Sequence, residues 1–136
     1  MKGENEINAT KNQTKVLAAQ SLSLKSARSL AEAAIDRKGV NVVGLDVRKL
    51  TSFTEVFVIA TGTSDQHVRS LADAVLERGQ NLGHHKLGAE GYEEGRWVLL
   101  DFNDVVVHVF QKETRDEYDL ERMWSEGDLI NFENYK

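Results

Sequence analysis

The 136-residue sequence has no cysteine, which excludes disulfides, a thiol nucleophile and any cysteine metal site. No apolar run approaches the roughly 20 residues that span a bilayer, so no membrane segment is expected. The first fifteen residues, MKGENEINATKNQTK, lack the apolar stretch of a secretory signal, and the expected location is cytoplasmic. A basic surplus is also missing. Seventeen Lys and Arg against 22 Asp and Glu give a formal net charge of −5, and the basic residues are scattered. That argues against direct nucleic-acid readout, which needs clustered cations facing phosphates. An acidic chain is instead steered towards a basic protein.

What is present suits one domain with a real core. Residues 1–20 are polar with few large apolar side chains and read as a flexible extension. From Leu24 a helical period appears through Ala27, Leu30, Ala31, Ala34 and Ile35, with Gly39 closing it. VNVVGLDV is β-branched and reads as a strand. TEVFVIATG, Thr54 to Gly62, is a second, apolar enough to be covered on both faces. Thr63 and Gln66 have capping-box spacing at the start of a helix whose stripe is Val68, Leu71, Ala72, Val75, Leu76 and Leu82, ended by Gly83. A loop, GHHKLGAEGYEEG, leads to WVLLDFNDVVVHVF. Thr114 and Glu117 suggest another capping box, opening a last helix with Leu120, Met123 and Trp124 on one side. The order predicts an α/β fold with a mixed central sheet flanked by helices.

WVLLDFNDVVVHVF reads as a hairpin turning at Asn103-Asp104. Phe102 then faces Val105, Leu100 faces Val107 and Val98 faces Val109, all on one apolar side that must be core. The other side carries Trp97, Leu99, Asp101, Val106, His108 and Phe110. A buried face rarely takes an unpaired carboxylate, and a plain solvent face does not need Trp, Leu, Val and Phe together. Apolar anchors beside polar groups are the composition of a protein interface. The plainer alternative is that a helix covers this side, with Asp101 and His108 bonded to each other. Arg115 and Tyr118, early in the last helix, are expected beside the same surface.

Signs of catalysis are thin. Asp101 and His108 lie diagonally on one face, but nothing marks a nucleophile beside them. His84-His85 is adjacent rather than at i, i+4, which suits a loop better than a metal site. TGTS between a strand and a helix is the kind of turn that cradles an anion. A metal-dependent nucleotidyltransferase would follow it with paired carboxylates; here there is no Asp-x-Asp, only Asp101, with Asp46 a weak second. No metal or cofactor is expected.

Taken together, LDV (Leu45 to Val47), ATGTS, His67-Val68-Arg69, Glu90-Gly91, the hairpin with W-x-x-x-D and V-V-H-x-F, and RDEYDLERMW (Arg115 to Trp124) resemble the ribosomal silencing factor family, also called Iojap. The resemblance spans Leu24 to Ser125. It defines a domain at 21–126 and sets residues 127–136 apart as a C-terminal tail. It implies a nucleotidyltransferase-like fold without the catalytic carboxylates. It further implies a translation repressor, not an enzyme, that binds the large ribosomal subunit through ribosomal protein L-fourteen and blocks joining of the small subunit. The implied contact surface is Trp97, Leu99, Asp101, Val106, His108, Phe110, Arg115 and Tyr118. A sticky face of this kind also allows a homodimer.

Overall fold

A computed structural model describes residues 23–132, so the N-terminal extension lies outside the described residues. Helix α1 runs through 23–36. It is followed by β1 (Val40–Asp46), β2 (Val56–Gly62), α2 (Asp65–Asn81), β3 (Gly88–Glu90), β4 (Trp97–Asp101), β5 (Val105–Gln111), α3 (Lys112–Tyr118), α4 (Leu120–Met123) and β6 (Asp128–Ile130). The six strands form one sheet in the order β3-β4-β5-β2-β1-β6. Only β2 and β5 pair in parallel; the other neighbours are antiparallel, so the sheet is mixed as expected.

The two faces of the sheet are covered unequally. Ala27, Leu30, Ala31 and Ala34 of α1 and Val68, Leu71, Ala72 and Val75 of α2 share one cluster with Val56, Val58, Val98, Leu100, Val107 and Val109. The opposite face holds a smaller cluster of Leu45, Val47, Phe57, Ile59, Phe110 and Leu120. Among the described residues only the short α3 and α4 contribute helix there, because the longer helical segments carry the continuous apolar stripes and take the first face. All seven residues of β2 are buried, as a strand covered on both sides requires.

The helix ends differ from their sequence reading by a residue or more. The N-cap of α2 is Ser64, whose hydroxyl accepts from the His67 backbone N–H at 3.0 Å. Thr63, the expected cap, instead faces the His67 ring, which occupies the reciprocal role expected of Gln66. Ser64→Ala should therefore lower stability by about 1 kcal/mol, and Thr63→Ala by less, as read from thermal unfolding. At the end of α1 the left-handed position belongs to Lys38, with φ 66°, not to Gly39. Gly39 is needed for a close approach: a Cβ there would meet the Ala34 carbonyl oxygen at 2.9 Å. Gly83, with φ 80°, does close α2, and His84 N–H reaches back to the Gly79 carbonyl. Leu82, expected on the buried stripe of α2, is largely exposed.

Four larger differences concern the loop before the hairpin and the C-terminal part. The glycine-rich loop contains an edge strand, β3. Thr114 lies inside α3, whose N-cap is Gln111, so there is no capping box at Thr114. The final helix also breaks at Asp119, which takes φ 48°, ψ 57°, and Met123, expected on a packed stripe, is 68% exposed. Residues 128–130, set apart as tail, form β6 on the edge of β1. Phe132 beyond them is 3% exposed and covers Gly44, where a Cβ would come within 2.6 Å of its ring.

Candidate functional site

The hairpin register is the one its turn residues dictate. Trp97 pairs with Phe110, Val98 with Val109, Leu99 with His108, Leu100 with Val107 and Asp101 with Val106. Asn103 takes the left-handed conformation, φ 76°, that the tight turn demands. Val98, Leu100, Val107 and Val109 face the two long helices. Trp97, Leu99, Asp101, Val106, His108 and Phe110 thus share the thinly covered face.

Strand β4 is delivered to this position by a loop with no room for error. Gly91 has φ 84°, and a Cβ on it would stand 2.0 Å from the Trp97 carbonyl oxygen. Only glycine combines that conformation with that approach. The loop is tied to α2 by Arg69, which donates to the Glu93 carbonyl, and by the Tyr92 hydroxyl, which donates to Asp73. The Asp73 carboxylate holds the Tyr92 phenol above its usual pKa.

Aromatic rings dominate the face. The Trp97 ring centroid lies 4.9 Å from that of Phe110 and 4.7 Å from that of Tyr118. Phe57 of β2 meets His108 and Trp124 edge-on, each at 5.2 Å. Phe110 and His108 are buried, at 0% and 4% exposure, whereas Trp97, Leu99, Asp101 and Val106 are half-buried. Tyr118 is 48% exposed. The outer rings thus rest on a dry aromatic floor.

The polar members have defined tasks. The Trp97 indole N–H donates to Nδ1 of His108 at 3.0 Å. Indole has only a donor, so Nδ1 is unprotonated and the imidazole carries its proton on Nε2. That Nε2 is buried without a partner among the described residues. Burial pushes the His108 pKa down to about 4, so the ring is neutral at pH 7. Asp101 does not bond to His108; its carboxylate accepts from the Asn103 backbone N–H at 2.8 Å and shapes the turn. Both alternatives for this face therefore needed amendment: helices cover part of it, but the Asp101–His108 bond is absent.

Arg115, expected as a contact residue, is 9% exposed. It donates to the Asn41 carbonyl and the Thr61 hydroxyl, both at 2.8 Å, and to Glu121 at 2.9 Å. It pins α3 to β1 and β2 and presents little surface. Of the eight residues named from the sequence, Trp97, Leu99, Asp101, Val106 and Tyr118 are accessible on or beside the face. Phe110, His108 and Arg115 support it from beneath. Sequence reasoning missed Phe57 as part of the floor and Leu129 as a rim residue. Leu129 pairs with Leu45 and is exposed on the same face.

The turn expected as a possible anion cradle is occupied from within. Thr63 N–H donates to Nδ1 of His67, whose Nε2 reaches the Arg37 carbonyl at 2.9 Å. Asp46 and Asp101 lie three strands apart, roughly 14 Å at ordinary strand spacing. They also face opposite sides, since Asp46 pairs with Val56 of the first cluster and Asp101 with Val106 of the second. Asp46 is bound to Arg48, which holds its carboxyl below the usual range. Among the described residues no three His, Asp or Glu side chains gather as a metal site. No helix among them is long and apolar enough to cross a membrane.

Comparison with known proteins places this geometry. The sequence model of a family described as "Ribosomal silencing factor during starvation" matches residues 20–136. A ribosomal silencing factor of Chromobacterium violaceum is 44% identical over 93 residues, covering 68% of this chain and 76% of the relative. One from Bacillus subtilis is 34% identical over 110 residues, covering 80% and 93%. A crystal structure of a Chromobacterium violaceum protein superposes with a TM-score of 0.74 at 40% identity, covering 75% of this chain and 85% of the other.

Proposed function

The chain belongs to the ribosomal silencing factor family, and on that premise we propose that it docks on the large ribosomal subunit through ribosomal protein L-fourteen and keeps the small subunit from joining. A ribosome-associated role in silencing translation goes with the family. The docking surface is the thinly covered sheet face. The observation that carries this is Trp97: a half-buried indole stacked on buried Phe110 and flanked by exposed Tyr118. A rigid aromatic anchor with apolar neighbours at its sides is the form an interface hot spot takes. The net charge of −5 complements a basic ribosomal protein and speeds the encounter.

We read the chain as a binding factor rather than an enzyme, acting in the cytoplasm. Two features favour this over a nucleotidyltransferase: Asp46 and Asp101 face opposite sides of the sheet, and His67 occupies the TGTS turn. The same aromatic face would serve for pairing of two copies away from the ribosome.

The test is cosedimentation with purified subunits. The protein should pellet with large subunits and not with small ones. Trp97→Glu should weaken that binding about 30-fold or more while the circular dichroism spectrum is unchanged. Tyr118→Ala, at an exposed position, should weaken it by a smaller factor. Equal binding to both subunits, or wild-type affinity in both variants, would contradict the reading.

A further inference from the structure

His108 stands out because a hydrocarbon would fill its place without penalty. It is 4% exposed and sits among Phe57, Trp97 and Phe110. Its Nε2–H has no partner among the described residues. An unpaired buried donor is costly, whereas Leu or Phe would pack against the same rings at no such cost. The one thing the imidazole provides there is the acceptor Nδ1, and that acceptor is spent on the indole of Trp97.

Trp97 and His108 are diagonal neighbours across the hairpin, since Trp97 faces Phe110 and His108 faces Leu99. A half-exposed tryptophan without a fixed donor partner samples several rotamers, and binding must then freeze one of them. With the N–H anchored inward, the ring is set against Phe110 and Tyr118 before any partner arrives. The anchoring also consumes the only hydrogen-bonding group of the indole.

We propose that His108 is the positioning residue of the docking surface. Through Nδ1 it locks Trp97 in its binding orientation and leaves that side chain with only apolar ring surface to offer. The partner group received at Trp97 is accordingly one that packs on the ring rather than a hydrogen-bond acceptor. This inference rests on the docking reading above for its consequence, but the lock itself is a property of the free protein.

The experiment uses the full-length protein labelled with nitrogen-15. The Trp97 indole N–H signal is told apart from that of Trp124 with Trp124→Phe. Long-range proton–nitrogen spectra should show His108 as the neutral form with its proton on Nε2, and the Trp97 indole proton should exchange slowly with water. In His108→Leu that proton should exchange at least tenfold faster, and affinity for large subunits should fall roughly tenfold. His108→Asn places its carbonyl oxygen as many bonds from the backbone as Nδ1 and should restore slow exchange and bring affinity to within about threefold of wild type. A proton on Nδ1 in the wild type would overturn the proposal, and that result needs no variant to fold. Unchanged exchange in His108→Leu would overturn it too, as would a His108→Asn variant no better than Leu. If the wild type fails to pellet with large subunits, the docking reading falls, while the exchange data still decide whether His108 holds Trp97.

Discussion

Arg115→Met should lower the unfolding free energy by about 2 kcal/mol. Methionine can follow the aliphatic stem of arginine but brings no donor. The Thr61 hydroxyl, on a residue 6% exposed, then loses the guanidinium that satisfies it. Leaving a buried polar group unpaired costs about 1–3 kcal/mol. The Asn41 carbonyl also loses its donor, but on an exposed residue. Glu121 adds little to the loss, because its side chain is 37% exposed and can turn to water. Urea unfolding should show a lower midpoint with an unchanged slope. A loss below about 0.5 kcal/mol would mean that Arg115 is a surface residue after all.

Acid should cost the fold at least as much through one side chain. His108 titrates at about 4 in the folded protein, because burial disfavours its charged form, against an ordinary value of 6.5. A histidine with a depressed folded pKa binds its proton in the unfolded chain first. Between pH 6.5 and pH 4 the unfolded state therefore carries more protons, and stability falls as pH falls. The stability this residue allows is fully present above pH 6.5. About 2.5 pH units at about 1.4 kcal/mol each gives a loss on the order of 3 kcal/mol at pH 4. Protonation would also take the Nδ1 lone pair from the Trp97 indole. Asp46 titrates below its ordinary 3.8, so its own loss comes at lower pH and does not blur the window. The measurement is the unfolding free energy of wild type and His108→Leu from pH 7 to pH 4. The wild type should lose about 3 kcal/mol more than the variant across that range; parallel curves would refute the burial of a neutral imidazole.

The hairpin was legible because its information is local. Asn103-Asp104 fixes the turn, period-two alternation fixes the faces, and the resulting pairs are those of the fold. The parallel pairing of β2 with β5 was not legible. β2 is buried on both faces, so it shows no alternation to say which side Phe57 takes, and the pairing is set by a crossover through α2 and the hairpin. Phe57 was missed for that reason. The break at Asp119 was hidden too: a left-handed aspartate costs little and leaves no mark in a helical period, yet it turns the chain so that Leu120 packs and Met123 does not. Arg115 misled because a charged side chain on a short helix is ordinarily at the surface. Its acceptors, Asn41 and Thr61, are 74 and 54 residues away in sequence.

The account stands most directly on whether occupying the aromatic face prevents ribosome assembly. Light scattering follows the joining of large and small subunits in real time. Large subunits preincubated with the protein should join small subunits to a much reduced extent, whereas preincubation with Trp97→Glu should leave joining near normal. Normal joining by large subunits that demonstrably carry the wild-type protein would contradict the account.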